Sequence, residues 1–171
     1  MDARVVAYHE AGHAVMAWDQ GLAQHRATII ASKGSAGYVE HSWGVSPLFL
    51  ETGYGQRLRT AVERNVRVGL AGELAQRRFE PKSIQRFHAA ADRATANDLL
   101  IALHGHDNAL LAAHWKLLEL ETDAILRRFW RCVESVAALL VEQGTASGKA
   151  VREVIYTANR VPAYAPRRST P

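Results

Sequence analysis

Cysteine occurs once in these 171 residues, at Cys132, so no intrachain disulfide can form and nothing points to an oxidising compartment. The expectation is a cytoplasmic protein. Long apolar runs are missing too. A membrane helix needs roughly 20 apolar residues in succession, and the stretch from Val136 to Val141 is only core-sized. The opening residues, Met1 to Val6, carry Asp2 and Arg4 and lead straight into Tyr8, His9 and Glu10, leaving no apolar region for a signal peptide. No membrane segment is expected. Charge of one sign is scarce: 21 Lys and Arg against 17 Asp and Glu give +4. Part of that excess, Arg167 and Arg168, lies among Pro162, Pro166 and Pro171 and reads as a solvated end. Nucleic-acid binding is therefore not expected. A working phosphate loop is also lacking. Gly144-Thr-Ala-Ser-Gly148-Lys149-Ala150 has one spacer too few, and Ala150 stands where Mg²⁺ needs a hydroxyl. That stretch reads as a loop and helix cap.

What is present is the composition of an ordinary globular domain, 48% hydrophobic and 22% charged. The length suits one domain, assigned to residues 1–160 and followed by a flexible Pro/Arg tail, 161–171. Helical spacing runs from Asp2 to Gln20, apolar on two faces and hence buried, with Gly21 placed to end it. His25 to Ser32 and Gly37 to Trp43 read as a β-hairpin or adjacent strands. A long helix follows from about Gln56 to Phe79, before Pro81. Asp92 to Leu103 forms another, stopped by Gly105. Between Asp107 and Gln143, paired apolar positions at 110/111, 117/118, 125/126, 129/130 and 140/141 mark one very long helix or two in sequence. Ser147 can cap a last helix through about Ala158. The fold class is α+β, mostly α-helical, with a small β-hairpin or sheet.

Chemistry concentrates in His9-Glu10-Ala11-Gly12-His13, an HExxH arrangement. On a helix, histidines four residues apart project from one face, one turn above the other, so both imidazoles reach one ion. Zn²⁺ suits nitrogen ligands and at catalytic sites takes three protein ligands plus water. The metal acidifies that water and polarises a scissile carbonyl, and Glu10 is positioned to take the proton. A chance HExxH is expected about 0.02 times in a chain of this composition. The motif also falls in a buried helix, where two histidines and a glutamate are costly without a role. The third ligand must come from elsewhere in the chain. Asp92, Asp98, His88, Glu73 and the His104-Gly105-His106-Asp107 cluster are candidates, and motif physics leaves Asp92 and His88 nearly tied.

The segment Val6-Ala7-Tyr8-His9-Glu10-Ala11-Gly12-His13-Ala14-Val15 resembles the signature of the peptidase domain of FtsH-type AAA proteases. Ala27-Thr28-Ile29-Ile30 with Gly37-Tyr38 is similar to that family's strand pair, and Leu70-Ala71-Gly72-Glu73-Leu74-Ala75 to its middle helix. The resemblance spans roughly Arg4 to Asn159. It implies an HExxH zincin-like helical peptidase domain with zinc held by His9, His13 and an aspartate opening a later helix, which falls on Asp92 by spacing. Two departures stand out: Phe87-His88-Ala89-Ala90-Ala91 replaces the glycine-containing lead-in to that aspartate, and Gln76-Arg77 replaces an acidic pair.

Without the family's ATPase module, the expected activity is ATP-independent hydrolysis of peptide bonds in flexible or unfolded polypeptides. Those substrates are expected to add to a strand edge around Thr28 to Ala31. Two alternatives remain open: an HExxH regulator peptidase with one specific protein substrate, and a catalytically inactive zinc-binding interaction module. Oligomeric state is left open.

Overall fold

The computed structural model describes residues 2–31, 37–42, 55–84 and 89–160. The tail assigned to 161–171, Phe87 and the candidate ligand His88 lie outside them. The element order is α1 (Ala3–Asp19), β1 (Gln24–Thr28), β2 (Tyr38–His41), α2 (Gly55–Phe79), a 3₁₀ turn (Pro81–Ser83), α3 (Ala90–His104), α4 (Asn108–Arg128), α5 (Trp130–Gln143), β3 (Thr145–Ser147) and α6 (Gly148–Arg160). The architecture is mostly helical with a small antiparallel sheet, as the sequence implies.

Helix α1 begins where the Asp2 carboxylate accepts a hydrogen bond from the Arg4 amide, 2.9 Å. It ends before Gly21, whose φ of 70° suits glycine. Every residue from His9 to Ala17 is buried, which the two-faced apolar pattern requires. One core cluster joins α1 to α5, α6 and β1 through Val15, Met16, Ala27, Val136, Leu140 and Ile155. A second joins α2 to α3 and α4 through Val62, Val66, Leu70, Leu100 and Leu118. Helix α2 stands between them, giving Val68, Ala71 and Ala75 to the first cluster.

Small residues let α1 and α2 approach closely. A Cβ on Gly12 would come within 2.5 Å of the Ala71 carbonyl oxygen and 2.6 Å of the Ala75 Cβ. At one end of this contact the Tyr8 and Phe79 rings stack at 3.7 Å. The stretch from Asp107 to Gln143 resolves into two helices. Phe129, at φ −102° and ψ 23°, breaks the ladder, and its ring meets Trp18 edge-on at 5.3 Å.

The sheet holds three strands in the order β2-β1-β3. Ala27 sits opposite Val39 on one side and Ala146 on the other. This corrects the expectation that the strand around Thr28 receives substrate by edge addition. Strand β1 is central, and beyond it the Ile29 amide already donates to the Gly144 carbonyl at 2.9 Å. The segment from Gly144 to Lys149 does cap a helix, since Ser147 Oγ accepts from the Ala150 amide at 3.2 Å. It also supplies β3, which the sequence reading did not separate from the cap.

Gly12→Ala drives a methyl group against a backbone carbonyl that cannot rotate away. We expect it to destabilise the fold by about 1–3 kcal/mol, the usual scale of overpacking. A lowered denaturant midpoint with unchanged slope checks this, and an unaltered midpoint contradicts the close helix contact.

Candidate metal centre

The two motif histidines point their Nε2 atoms at a common place. His9 Nε2 and His13 Nε2 are 3.0 Å apart. Asp92 Oδ2, carried in on the first turn of α3, lies 3.3 Å from the former and 3.5 Å from the latter. Four tetrahedral ligands at zinc bond lengths stand about 3.3 Å from one another, so the three donor atoms already have the mutual spacing of one coordination shell. Among the described residues this is the group of His, Cys, Asp and Glu side chains gathered closely enough to hold an ion.

The far side of each imidazole is fixed. His9 Nδ1 lies 3.0 Å from Gln76 Oε1, and His13 Nδ1 lies 2.7 Å from the Val68 carbonyl oxygen. Both acceptors demand a proton on Nδ1, which leaves the Nε2 lone pairs free for a cation. Gln76 is buried and its own amide is oriented by Ser83, donating to the carbonyl oxygen at 3.2 Å and to Oγ at 3.1 Å. Gln76 therefore accepts from His9 Nδ1, a role an acidic residue could also have filled.

Helix α2 makes room for the rings by lacking a side chain. A Cβ on Gly72 would collide with His13 Nε2 and stand 2.6 Å from His9 Nε2. One turn earlier, Gly69 faces the Asp92 carbonyl and the Ala96 Cβ at 3.4 and 3.5 Å, an ordinary contact. A clamp beside the third ligand ties α3 to α2: Arg93 donates to Glu73 through Nε at 2.5 Å and Nη2 at 3.1 Å. The guanidinium also lies over the Trp115 ring, 5.8 Å from its centre. Burial pushes the Glu73 carboxyl up, but the hydrogen bonds and charges of Arg93 and Arg77 outweigh it and hold it below its usual value.

The electrostatics of the site favour positive charge among the three donor atoms. Burial lowers His13, yet hydrogen bonding to Asp92, the charges of Asp92 and Glu10, and the Val68 carbonyl raise it to about 9. Burial raises Asp92, and the hydrogen bonds and charges of His13 and His9 overcome it and hold the carboxyl far below its ordinary range. A proton thus collects where the three donor atoms meet. A metal ion competes with that proton for the same electron pairs. Burial raises Glu10; His13 and His9 oppose the rise and Asp92 adds to it. Its carboxyl packs against Gly37, where a Cβ would stand 2.8 Å from Oε1.

The remaining sequence candidates do not gather here. Glu73 is committed to Arg77 and Arg93. Asp98 is exposed on α3. Asp107 caps α4, accepting from the Ala109 and Leu110 amides at 3.0 Å each. His104 Nε2 lies 2.7 Å from His114 Nδ1, whose other nitrogen is 3.1 Å from Glu63. Sequence reasoning missed Val68, Gly72 in its steric role, Arg93 and His41. His41 sits on β2, and burial lowers its pKa; a bond with the Val39 backbone opposes this, and the charges of His13 and His25 add to it. The recurring small residues of α2 were visible as a motif, whereas a backbone carbonyl leaves no trace in residue types.

Neither a family model nor a curated protein matches this sequence. The reading of the site therefore rests on its own geometry.

Gly72→Ala should abolish stoichiometric zinc binding, because the added methyl displaces both imidazoles. Gly69→Ala should bind zinc as the unaltered protein does. Titration with a chromophoric zinc competitor distinguishes them, and equal affinities would show that the rings do not need this space.

Proposed function

We propose that this protein is a zinc-dependent metalloendopeptidase acting on flexible or unfolded polypeptides. The observation that carries the reading is the convergence of His9 Nε2, His13 Nε2 and Asp92 Oδ2 on one point, with Nδ1 of each imidazole held by Gln76 or Val68. Two imidazoles and one carboxylate are a donor set suited to zinc, and three protein ligands leave a position open. When bound, zinc supplies Lewis acidity, lowering the pKa of a water and polarising the scissile carbonyl.

The chain's own residues do the rest. Glu10 follows the first ligand on the same rigid helix, and its buried carboxylate takes the proton from the attacking water and returns it to the departing amine. Burial around Glu10 keeps bulk water from competing for that proton. Among the described residues β2 pairs with β1 alone, so its outer edge offers main-chain groups to an extended peptide. Strand β2 starts beside Gly37, against the Glu10 carboxyl, so a peptide added there runs past the reacting groups. Only an extended segment can pair in this way, which favours unfolded substrates over compact ones.

The likeness of the α1 signature and of the middle helix to FtsH-type peptidase domains supports the same chemistry. A zinc-binding module without turnover needs the three ligands but has no use for Glu10 as a base. A regulator peptidase keeps Glu10 and differs only in accepting one protein.

Glu10→Gln should keep about one zinc per chain and lose hydrolysis of unfolded casein, since it removes the base and spares the ligands. Normal turnover in that variant would sink the mechanism. Zinc bound by the unaltered protein with no cleavage of any unfolded substrate would favour the regulator or the inactive module. Asp92→Asn should weaken zinc binding by about tenfold or more, whereas Asp98→Asn should leave it unchanged. The opposite order, read by elemental analysis after dialysis, would remove Asp92 from the ligand set.

A further inference from the structure

Helix α4 is apolar on two faces. One, with His114, Leu118, Thr122 and Leu126, is buried in the fold. The other carries Leu110, Ala113, Leu117, Leu120 and Ala124, all exposed, and the three leucines stand at 50%, 52% and 56%. The paired apolar positions of the sequence thus divide: 111 and 118 pack into the second core cluster, while 110 and 117 face outward. The outward residues are spaced 3, 4, 3 and 4 apart, the spacing of a helix seam that packs against another helix. A lone exposed leucine needs no explanation, but a contiguous stripe about 21 Å long does.

We propose that this stripe is a homodimer interface, in which α4 of a second copy lies antiparallel on α4 with Leu117 opposite Leu120 and Ala113 opposite Ala124. The flanking charges select this occupant and this register. Lys116 and Asp123 lie along one side of the stripe and Glu121 along the other, while His114 is turned into the fold. In the stated register each Lys116 faces Asp123 of the second copy. A slide of one heptad in one direction sets Lys116 against Lys116. A slide in the other sets Asp123 against Asp123 and Glu121 against Glu121. A parallel pairing brings Arg127, the next seam position, against its own copy, whereas the antiparallel one lays its aliphatic stem over Leu110. Like charges directly opposed discriminate against the other arrangements.

The present partners of these groups do not obstruct the pairing. Lys116 meets Glu119 at 2.8 Å and Asp123 meets Arg127 at 3.2 Å, exposed same-helix pairs of little energy that can share a second partner. Glu121 is steadied by Arg67 at 2.7 Å, which fixes its carboxylate at the rim. Beside the stripe, a groove between α2 and α4, with Leu74 and Leu120 in its lining, is bounded by Arg77 and Arg78 and gives the second copy further surface to cover. The contact is self-complementary and closes with two-fold symmetry, so it yields a dimer and not a filament.

Sedimentation equilibrium on the full chain tests the proposal. The unaltered protein should sediment at twice 18.9 kDa, and Leu117→Glu with Leu120→Glu should sediment at 18.9 kDa. Both substitutions are on exposed positions, so the helical circular dichroism signal should be unchanged. Orientation is read by mixing Ala113→Cys with Ala124→Cys under oxidation: the two variants should cross-link to each other and not to themselves, with Cys132 buried and out of reach. A monomeric unaltered protein, a dimer indifferent to the two glutamates, or cysteine variants that cross-link only to themselves would each overturn it. None of these outcomes depends on whether the metal centre binds zinc.

Discussion

The close approach of α1 and α2 governs the molecule. Gly12 lets the backbone of one helix reach the carbonyls of the other, and Gly72 removes the one side chain that would fill the space taken by both imidazoles. Helix α1 carries the motif but cannot orient it alone. The carbonyl of Val68 and the amide of Gln76, both on α2, decide which nitrogen of each ring faces the centre. The same helix holds Glu73, which anchors Arg93 and thereby the turn bearing Asp92. One element thus sets the spacing, the tautomers and the third donor, and packing density and site geometry have a single cause.

The parts of the site written in consecutive residues were legible in the sequence. HExxH needs only a helical register, and α1 is helical and buried from its own spacing. Asp92 was legible only with the family resemblance beside it, because a ligand 79 residues beyond His13 leaves no periodic signature. Support from Gln76 was hidden by its chemistry. A glutamine in an acidic position looks like a loss until its amide is seen turned by Ser83 to present oxygen to His9. Helix boundaries came out within a few residues because Asp2, Gly21 and Gly105 punctuate them chemically. The division at Phe129 did not, since nothing in its residue type breaks a helix; its ring is drawn to Trp18 by tertiary packing.

The sheet was misread for a related reason. Two of its strands are rich enough in branched and aromatic residues to be recognised, but Thr145–Ser147 is too short to stand out, and its pairing with Arg26–Thr28 spans more than 110 residues. Without that partner β1 looks like an edge. With it, β1 is central, and among the described residues β2 is an outer strand, beginning beside Gly37, which meets Glu10. The correction changes which strand is outermost among the described residues and leaves the cluster of His9, His13 and Asp92 untouched.

That third strand also fixes an order of events during synthesis. The motif helix and the residues His9, His13 and Asp92 are all synthesised by residue 92, yet β1 lacks its β3 partner until residue 147 follows. A nascent chain in that interval carries His9, His13 and Asp92 together with a strand that still lacks one partner. Completing that pairing is left to the last helix and the three residues before it, so the C-terminal end of the domain acts as a latch on an assembly that its N-terminal end begins.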